Sequence, residues 1–448
     1  MTDVTEKQVP KTTPEDGNQS EHEPWYSTLI QIGIPFFLAG LGTITAGLML
    51  GNVQDWSVYR EVNELFVLVS VLCGLKGNLD MCVASRICTH SNLGHLSIRK
   101  AVLQIMVGNM ALVQLQAIVC AVLLSTLTVG INAAVNQDFS VEHYPLLTAA
   151  ALITSSTSCF LLDSIVMVVI LFSQHYSFNP DYMAIPIVAS IGDVVTISLL
   201  SFSAALMYEL CQSHLWIAIC VVIGYVVVMM PVWLAVVLRN VYVRPILMVS
   251  WIPVIGALCI SQIAGFVLSS SVEDFRAFAI FSPIINGIGG NLVSVQASHL
   301  GSVLYRRSSL GILPGDSRIL EWPHRVYFRG TVYSRVTRIL IAISVPGNVV
   351  LVILADYLRM AHVSVKWVFV VAFVVTSLLQ LLILLWLAHA LVHLLWRRKI
   401  DPDTAAIPYL TAVGDALGTG LLAVMFHLLR WTEEEYKPRD QPWLKISY

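Results

Sequence analysis

Two matched segments of the chain carry an acidic residue into long apolar runs. Residues 179–193 recur as residues 401–415, and seven of the fifteen positions are identical. Each copy ends in an aspartate, Asp193 or Asp415, that lies well inside the apolar run. A carboxylate at such depth costs roughly several kcal/mol unless a partner offsets its charge. Two carboxylates at matched depth therefore predict one shared cation site on a pseudo-twofold axis between two halves of the chain.

The same segments supply further oxygen atoms near each acid. Pro186 and Pro408 lie inside the segments, where a proline removes one helical hydrogen bond. In the first copy this leaves the carbonyl of Tyr182 for a cation or its water shell. Asp181 and Asp403, which each follow a proline, are predicted helix N-caps. The alternative is a pair of structural acids bonded to hydroxyl groups or to a basic side chain.

Two glycine-containing motifs elsewhere in the chain add amide groups. Residues 74–79 (GLKGNL) match residues 287–292 (GIGGNL), so Asn78 and Asn291 occupy equivalent positions. Amides inside apolar helices can accept hydrogen bonds from the waters of a hydrated ion, and we predict that both flank the metal site. Helix packing alone is the alternative explanation for the glycines. The other polar residues that we assign to the ion pathway or to the support of its ligands are Asp80, Gln296, Asp181, Asp403, Tyr182 and Asp163.

Asp163 has no counterpart in the second half of the chain. It lies in the middle of an apolar segment, and the position 222 residues later holds Leu385. Asp163 either binds a coupling ion, pairs with Lys76, or is a structural acid bonded to Ser156 or Ser164. The sequence slightly favours the structural role.

The residue types around Asp193 and Asp415 indicate a hard cation. A His/Cys constellation suited to zinc or copper is absent near either acid in the sequence. Mg²⁺ gives up its waters reluctantly and is usually held by one or two carboxylates. We therefore predict Mg²⁺ as the transported ion and no catalytic cofactor, and Na⁺ as a coupling ion stays open.

The composition of the chain is that of a membrane protein. Of the 448 residues, 56% are hydrophobic and only 12% are charged, whereas about 25% of residues are charged in soluble domains. Apolar runs long enough to cross a bilayer as helices, roughly 20 residues each, occupy nearly the whole chain. We predict eleven spans, at 28–51, 62–83, 101–133, 146–173, 183–210, 214–238, 247–270, 277–300, 337–358, 367–396 and 404–430.

Three anchors divide these spans into two five-span repeats. Residues 34–35 (Ile-Pro) match residues 252–253, and the two motif pairs above follow in the same order. Five is an odd number, so the extra span at 214–238 makes the repeats parallel, about an axis along the membrane normal. The predicted fold class is an all-α polytopic membrane protein with two parallel five-helix repeats and one connecting transmembrane helix. The predicted divisions are a disordered cytoplasmic tail (1–25), a first repeat (26–210), the connecting helix (211–240), a second repeat (241–430) and a C-terminal tail (431–448).

The distribution of basic residues predicts the orientation in the membrane. Of 26 Lys and Arg residues, 17 lie in segments that are cytoplasmic if the N-terminus is inside, eight lie in outer segments, and Lys76 lies within span two. The positive-inside rule thus favours a cytoplasmic N-terminus and an extracellular or lumenal C-terminus, most simply in the plasma membrane. Residues 305–336 then form a cytoplasmic loop. No basic patch interleaved with aromatic residues indicates nucleic-acid binding; the expected partners are Mg²⁺ and the lipid bilayer, and the internal repeat makes a monomer sufficient.

At these motifs the chain resembles the eukaryotic solute carrier family 41, which is related to the bacterial MgtE magnesium channels. The resemblance covers about residues 26–430 and implies a duplicated MgtE-type membrane domain, Mg²⁺ transport, and Asp193 and Asp415 as the central ion site. Three residues depart from the family pattern: Asp80 stands in place of Glu, Asp163 in place of an apolar or small residue, and His389 in place of an acid. The motifs that carry the resemblance are residues 74–80, 84–86, 108–111, 286–293 and 295–298, with the two Pro/Asp segments.

Two other functions are weighed against Mg²⁺ transport. Transport of another divalent cation or of an organic cation requires no change in the fold. An intramembrane aspartyl protease also needs two aspartates within the membrane, one after Tyr and one in a Gly-x-Gly-Asp segment. Here the two contexts are Ser-Ile-Gly-Asp at 190–193 and Ala-Val-Gly-Asp at 412–415. Neither fits, and we expect that the protein is not an enzyme.

Overall fold

The structure is a computed structural model that describes residues 25–92, 99–136, 143–175, 180–315, 317–328, 332–360, 365–434 and 436. Some side chains within these ranges lie outside the description, including those of residues 181–190, 403 and 404. The predicted pathway residues Asp181, Tyr182 and Asp403 belong to this group, so their side-chain roles stay predictions.

Eleven helices of the described residues are long and apolar enough to cross a membrane, which confirms the predicted number of spans and an integral membrane protein. Two short helices, Ser57–Glu61 and Pro323–Phe328, lie between them. The helix α6 is continuous but contains a π-helical stretch, Gly224–Met229. The eleven helices are α1 (Trp25–Val53), α2 (Glu64–Asn92), α3 (Arg99–Asn136), α4 (His143–His175), α5 (Pro180–His214), α6 (Trp216–Arg239), α7 (Trp251–Asp274), α8 (Phe278–Arg307), α9 (Val332–Met360), α10 (Trp367–Arg397) and α11 (Pro402–Trp431).

The helices α5 and α11 both begin at a proline. Pro180 and Pro402 are the first helical residues, a position that suits proline because it needs no hydrogen-bond donor there. The prediction that Asp181 and Asp403 cap these helices is therefore wrong, because both residues lie within the first turn. Pro408 lies inside α11, as predicted.

The two repeats pack on each other in a crossed arrangement. In the first half, Gly47 of α1 lies against the backbone of Ile280 in α8, and a Cβ atom at Gly47 would be 2.1 Å from the Ile280 carbonyl oxygen. In the second half, Gly265 of α7 lies against Val67 of α2, where a Cβ atom would be 2.9 Å from the Val67 carbonyl oxygen. Each first helix thus packs on the second helix of the other repeat, as a pseudo-twofold axis requires.

A second pair of contacts repeats the same relation closer to the middle of the helices. A Cβ atom at Gly287 of α8 would be 2.2 Å from the Thr43 side chain on α1. The equivalent Gly74 of α2 faces Ser261 on α7, with 3.1 Å from a Cβ atom to the hydroxyl oxygen. These four contacts place α1, α2, α7 and α8 around the axis, which confirms two repeats in one chain.

The connecting helix α6 lies at the periphery of the bundle. It packs on α3, α4 and α5 of the first repeat. Only 6% of its most apolar window is buried, and large apolar side chains such as Trp216 (62% exposed) and Val227 (64% exposed) face outward. An apolar exposed surface on a helix of this length is suited to contact with lipid.

The segment between α8 and α9 is packed along α10. Trp396 Nε1 donates to the Ile312 carbonyl oxygen at 2.9 Å, and Trp386 Nε1 donates to the Glu321 carbonyl oxygen at 2.9 Å. Tyr327 donates to the Leu382 carbonyl oxygen at 2.6 Å, and burial raises the pKa of Tyr327 to about 12. The loop predicted at 305–336 is therefore attached to the bundle by indole and phenol donors that its own sequence does not contain in full.

Candidate functional site

A cavity of about 110 Å³ lies on the axis between the two repeats, and its size admits several water molecules. Its walls come from α2, α5, α8 and α11, with single residues of α1 and α7 at the ends. Most of its lining occurs in pairs related by the repeat. The pairs are Leu50 and Leu268, Cys73 and Asn286, Gly74 and Gly287, Gly77 and Gly290, Asn78 and Asn291, and Asp193 and Asp415.

Asp193 and Asp415 enter this cavity from opposite repeats. Asp193 lies on α5 and Asp415 on α11, and both side chains are partly exposed to the cavity. The Oδ2 atom of Asp415 would be 3.1 Å from a Cβ atom at Gly74, so a side chain there would crowd the carboxylate. Within the described part of the chain, no residue donates a hydrogen bond to either carboxylate or pairs with it as an ion. Both carboxylates are thus available to a cation in the cavity.

The two predicted amides differ in their contacts. Asn78 of α2 accepts a hydrogen bond from the Thr411 hydroxyl of α11 at 2.5 Å, so its oxygen is already engaged across the repeat boundary. Asn291 of α8 is half-buried and lines the cavity. Both amides flank the cavity that holds the two aspartates, although only Asn291 keeps its oxygen open to water.

The glycines of the two motifs have two different uses. Gly74 and Gly287 are packed against the neighbouring repeat, which agrees with the packing alternative. Gly77 and Gly290 face the cavity, where a Cβ atom at Gly77 would meet nothing within 4 Å and one at Gly290 would meet only Thr411, at 3.9 Å. The motif therefore provides close helix contact with its first glycine and open space with its second.

Lys76 and Asp80 break the symmetry of the cavity. The ammonium nitrogen of Lys76 is 3.3 Å from Oδ2 of Asp80, one turn along α2, and both residues line the cavity. A Cβ atom at Gly192 would be 2.1 Å from the same nitrogen, so the ammonium group lies against the backbone next to Asp193. The suggestion that Lys76 pairs with Asp163 is wrong, because its ion pair is with Asp80.

Asp163 and Gln296 do not reach the cavity. Both are buried, with 0% and 1% of their surface exposed, and neither belongs to the lining. No described residue donates a hydrogen bond to the carboxylate of Asp163. Ser156 donates to a glutamine and Ser164 to a backbone carbonyl, so the predicted serine partners of Asp163 are wrong. The placement of Gln296 outside the lining leaves its predicted pathway role without a contact to the site.

Sequence reasoning did not identify Cys73 and Thr411 as residues of the site. Thr411 lies in the repeated segment, but its counterpart is an alanine, so the repeat itself gave no signal. Cys73 precedes the glycine motif directly, and this proximity was the available signal. Among the described residues, no group of three His, Cys, Asp or Glu side chains is arranged to hold a metal ion. The cavity therefore offers two carboxylates and several amide and hydroxyl groups rather than a closed metal cage.

Comparisons with known proteins agree with this architecture. The family profile MgtE, described as a divalent cation transporter, matches residues 69–203 and 282–425, which are two copies that leave out α6. Solute carrier family 41 member 2 from Homo sapiens is 36% identical over 402 residues, which are 89% of this chain and 70% of the relative. Solute carrier family 41 member 3 from Rattus norvegicus is 35% identical over 410 residues, which are 90% of this chain and 88% of the relative.

No solved structure is a significant match to the chain. The family profile covers well over half of the sequence, and the relatives span nearly all eleven helices. The crossed repeats, the paired aspartates and the two profile matches describe the same duplication. The chain belongs to solute carrier family 41 and contains two copies of the MgtE divalent cation transporter domain.

Proposed function

We propose that this protein transports Mg²⁺ across a membrane through the cavity between its repeats, and that Asp193 and Asp415 bind the ion. One observation carries the proposal: two matched carboxylates from opposite repeats face one cavity without a described protein partner. Such carboxylates within a membrane are costly without a cation. The structural alternative needs hydroxyl or basic partners, and none of the described residues provides them.

The composition of the lining favours Mg²⁺ over softer cations. Mg²⁺ is held by one or two carboxylates and keeps several of its waters. The cavity has two carboxylates, open space at Gly77 and Gly290, and room for water. The thiol of Cys73 favours a second candidate substrate, a softer divalent cation such as Zn²⁺, because thiolates bind such ions well.

Several finer points belong to the proposal and rest on the sequence. We place the N-terminus in the cytoplasm and the C-terminus outside, in the plasma membrane, because basic residues are concentrated on one side. Na⁺ is a candidate coupling ion, and no catalytic cofactor or enzymatic reaction is proposed. One chain contains both halves of the cavity, so a monomer is sufficient for transport.

Flux measurements in proteoliposomes test the proposal. Asp193→Ala and Asp415→Ala should each abolish Mg²⁺ uptake while leaving insertion intact, because each removes one of the two carboxylates on the axis. Asp55→Ala, at an exposed acid outside the spans, is the matched control and should transport normally. Uptake is measured with and without a Na⁺ gradient and in competition with Zn²⁺. Normal flux in both aspartate variants at equal reconstitution would refute the site.

A further inference from the structure

The cavity has one charged feature that the repeat does not duplicate. Lys76 and Asp80 line it on α2, whereas the equivalent positions on α8 hold Gly289 and Val293. The space beside Gly289 is occupied by the amide of Gln380, 2.5 Å from where a Cβ atom would be. Only the first repeat therefore places a basic side chain in the cavity.

The ammonium group of Lys76 lies between two acids. It is 3.3 Å from Oδ2 of Asp80, and it rests on the backbone of Gly192, the residue before Asp193. Only 5% of the Lys76 side chain is exposed. The equivalent glycine in the second repeat, Gly414, faces the apolar side chain of Leu384 instead. Gly192 thus makes room for a positive charge beside Asp193, and no such charge is placed beside Asp415.

We propose that Lys76 is a tethered cation that competes with the transported divalent ion for the negative charge of the cavity, and that Asp80 holds its ammonium group aside when the ion is bound. This rests on the proposed role of Asp193 and Asp415. It assigns Asp80 a positioning role through Lys76, in place of a direct contact with the ion.

The charges of the cavity fit this arrangement. Three carboxylates, of Asp80, Asp193 and Asp415, and one ammonium group line it, so the formal net charge is −2. One divalent cation balances that charge. Without the ion, Lys76 offsets part of the charge that would otherwise be uncompensated within the membrane. With the ion bound, two positive charges repel each other in a region of low dielectric, and this repulsion favours release.

The lysine side chain can change its position at low cost. Its ammonium group is a point charge on a flexible stem of four carbons. Asp80 lies one turn further along α2, so rotation of the stem moves the charge along the helix between Asp193 and Asp80. A bound ion near Asp193 shifts this equilibrium toward Asp80, because it interacts differently with the two positions.

The proposal predicts effects of opposite sign for the two members of the pair. Lys76→Met removes the competing charge and should lower the Kd for Mg²⁺ at least tenfold, which corresponds to about 1.4 kcal/mol. Release should slow, so the maximal transport rate should fall. Asp80→Asn releases Lys76 toward Asp193 and should raise the Kd. In the double variant the Asp80→Asn change should have little further effect, because it acts only through Lys76.

The Kd is measured without transport, from the rise in thermal stability of the purified full-length chain as MgCl₂ is added. Lys366→Met is the matched control, because Lys366 forms an ion pair with Glu434 on an exposed surface, with 2.6 Å between the charged atoms. Its Kd should equal that of the native chain. Lys76→Gln, which keeps a hydrogen-bond donor for Asp80, should lower the Kd in the same way and serves if Lys76→Met does not fold.

The outcomes separate this proposal from the proposed function. If Asp193→Asn leaves the Mg²⁺ dependence unchanged, the ion site itself is refuted. If Asp193→Asn removes it but Lys76→Gln and Lys76→Met bind Mg²⁺ no more tightly than the native chain, the competing cation alone is refuted. If Asp80→Asn weakens binding equally with and without Lys76, Asp80 is a direct ligand and its positioning role is refuted.

Discussion

Replacement of Gly47 by alanine tests the crossed packing that forms the walls of the cavity. The added Cβ atom would be 2.1 Å from the backbone oxygen of Ile280, whereas ordinary contact begins at 3.4 Å. The difference, 3.4 − 2.1 = 1.3 Å, must come from separation of α1 and α8, because the obstacle is backbone rather than a movable side chain. The same displacement would shift Thr43 away from Gly287 at the edge of the cavity.

The expected cost follows from two opposing effects. Overpacking of a well-packed interior costs roughly 1–3 kcal/mol and occasionally more, while alanine is favoured over glycine in a helix by about 1 kcal/mol. The large displacement at Gly47 places the overpacking term at the upper end, so we expect a net loss of about 2 kcal/mol. At Gly265 the shortest distance is 2.8 Å, a shortfall of 0.6 Å against a side-chain atom, and the loss should be smaller.

Gly33 provides a matched control on the same helix. A Cβ atom there meets nothing within 4 Å, so only the gain in helix propensity remains and Gly33→Ala should be neutral or stabilising. The assay is the midpoint of thermal unfolding of the detergent-solubilised protein at one fixed heating rate. The expected order of stability is Gly33→Ala, Gly265→Ala, Gly47→Ala. Equal stability of Gly47→Ala and the native chain would refute the crossed packing.

Two further predictions concern the axis and the topology. Asp193→Cys combined with Asp415→Cys, in a background without the native cysteines (Cys73 included, since it lines the cavity), should be bridged by Cd²⁺; roughly 4–9 Å between the two carboxylates suits one Mg²⁺ and its waters. Failure of Cd²⁺ to protect these thiols from alkylation would argue for two separate sites. The sequon at Asn18 should remain unglycosylated, while one engineered into residues 433–445 should be glycosylated on passage through the secretory pathway, and the reverse pattern would overturn the orientation.

The sequence predicted the number and order of the helices because the signals for both are local. Apolar length identifies each span, and each of three anchors keeps a constant offset between the copies. The offsets themselves differ, with 218 residues at Gly47 and Gly265, 213 at Gly74 and Gly287, and 222 at the aspartates. Insertions in the loops explain the differences, and they do not alter the helices that the loops connect.

The partners of these residues were not predictable in the same way. A repeat identifies equivalent positions, but it does not say whether an equivalent pair meets within one copy or across the two. The contact of Gly47 with Ile280 and the hydrogen bond of Thr411 to Asn78 both cross the boundary. Such contacts depend on how closely two helices approach, which is a property of the packed bundle.

The same limit explains why Gly192 was understood only in part. Its position before Asp193 indicated close approach of a backbone or an ion, and the symmetric Gly414 suggested the same use in both repeats. The group that approaches Gly192 is the ammonium of Lys76, three turns of chain logic away on α2, while Gly414 approaches only Leu384. Identical glycines thus have different neighbours because the lysine occurs in one copy alone. A duplicated site that keeps its two acids but places one basic group beside only one of them is no longer symmetric in charge, so the ion should be bound unequally by Asp193 and Asp415.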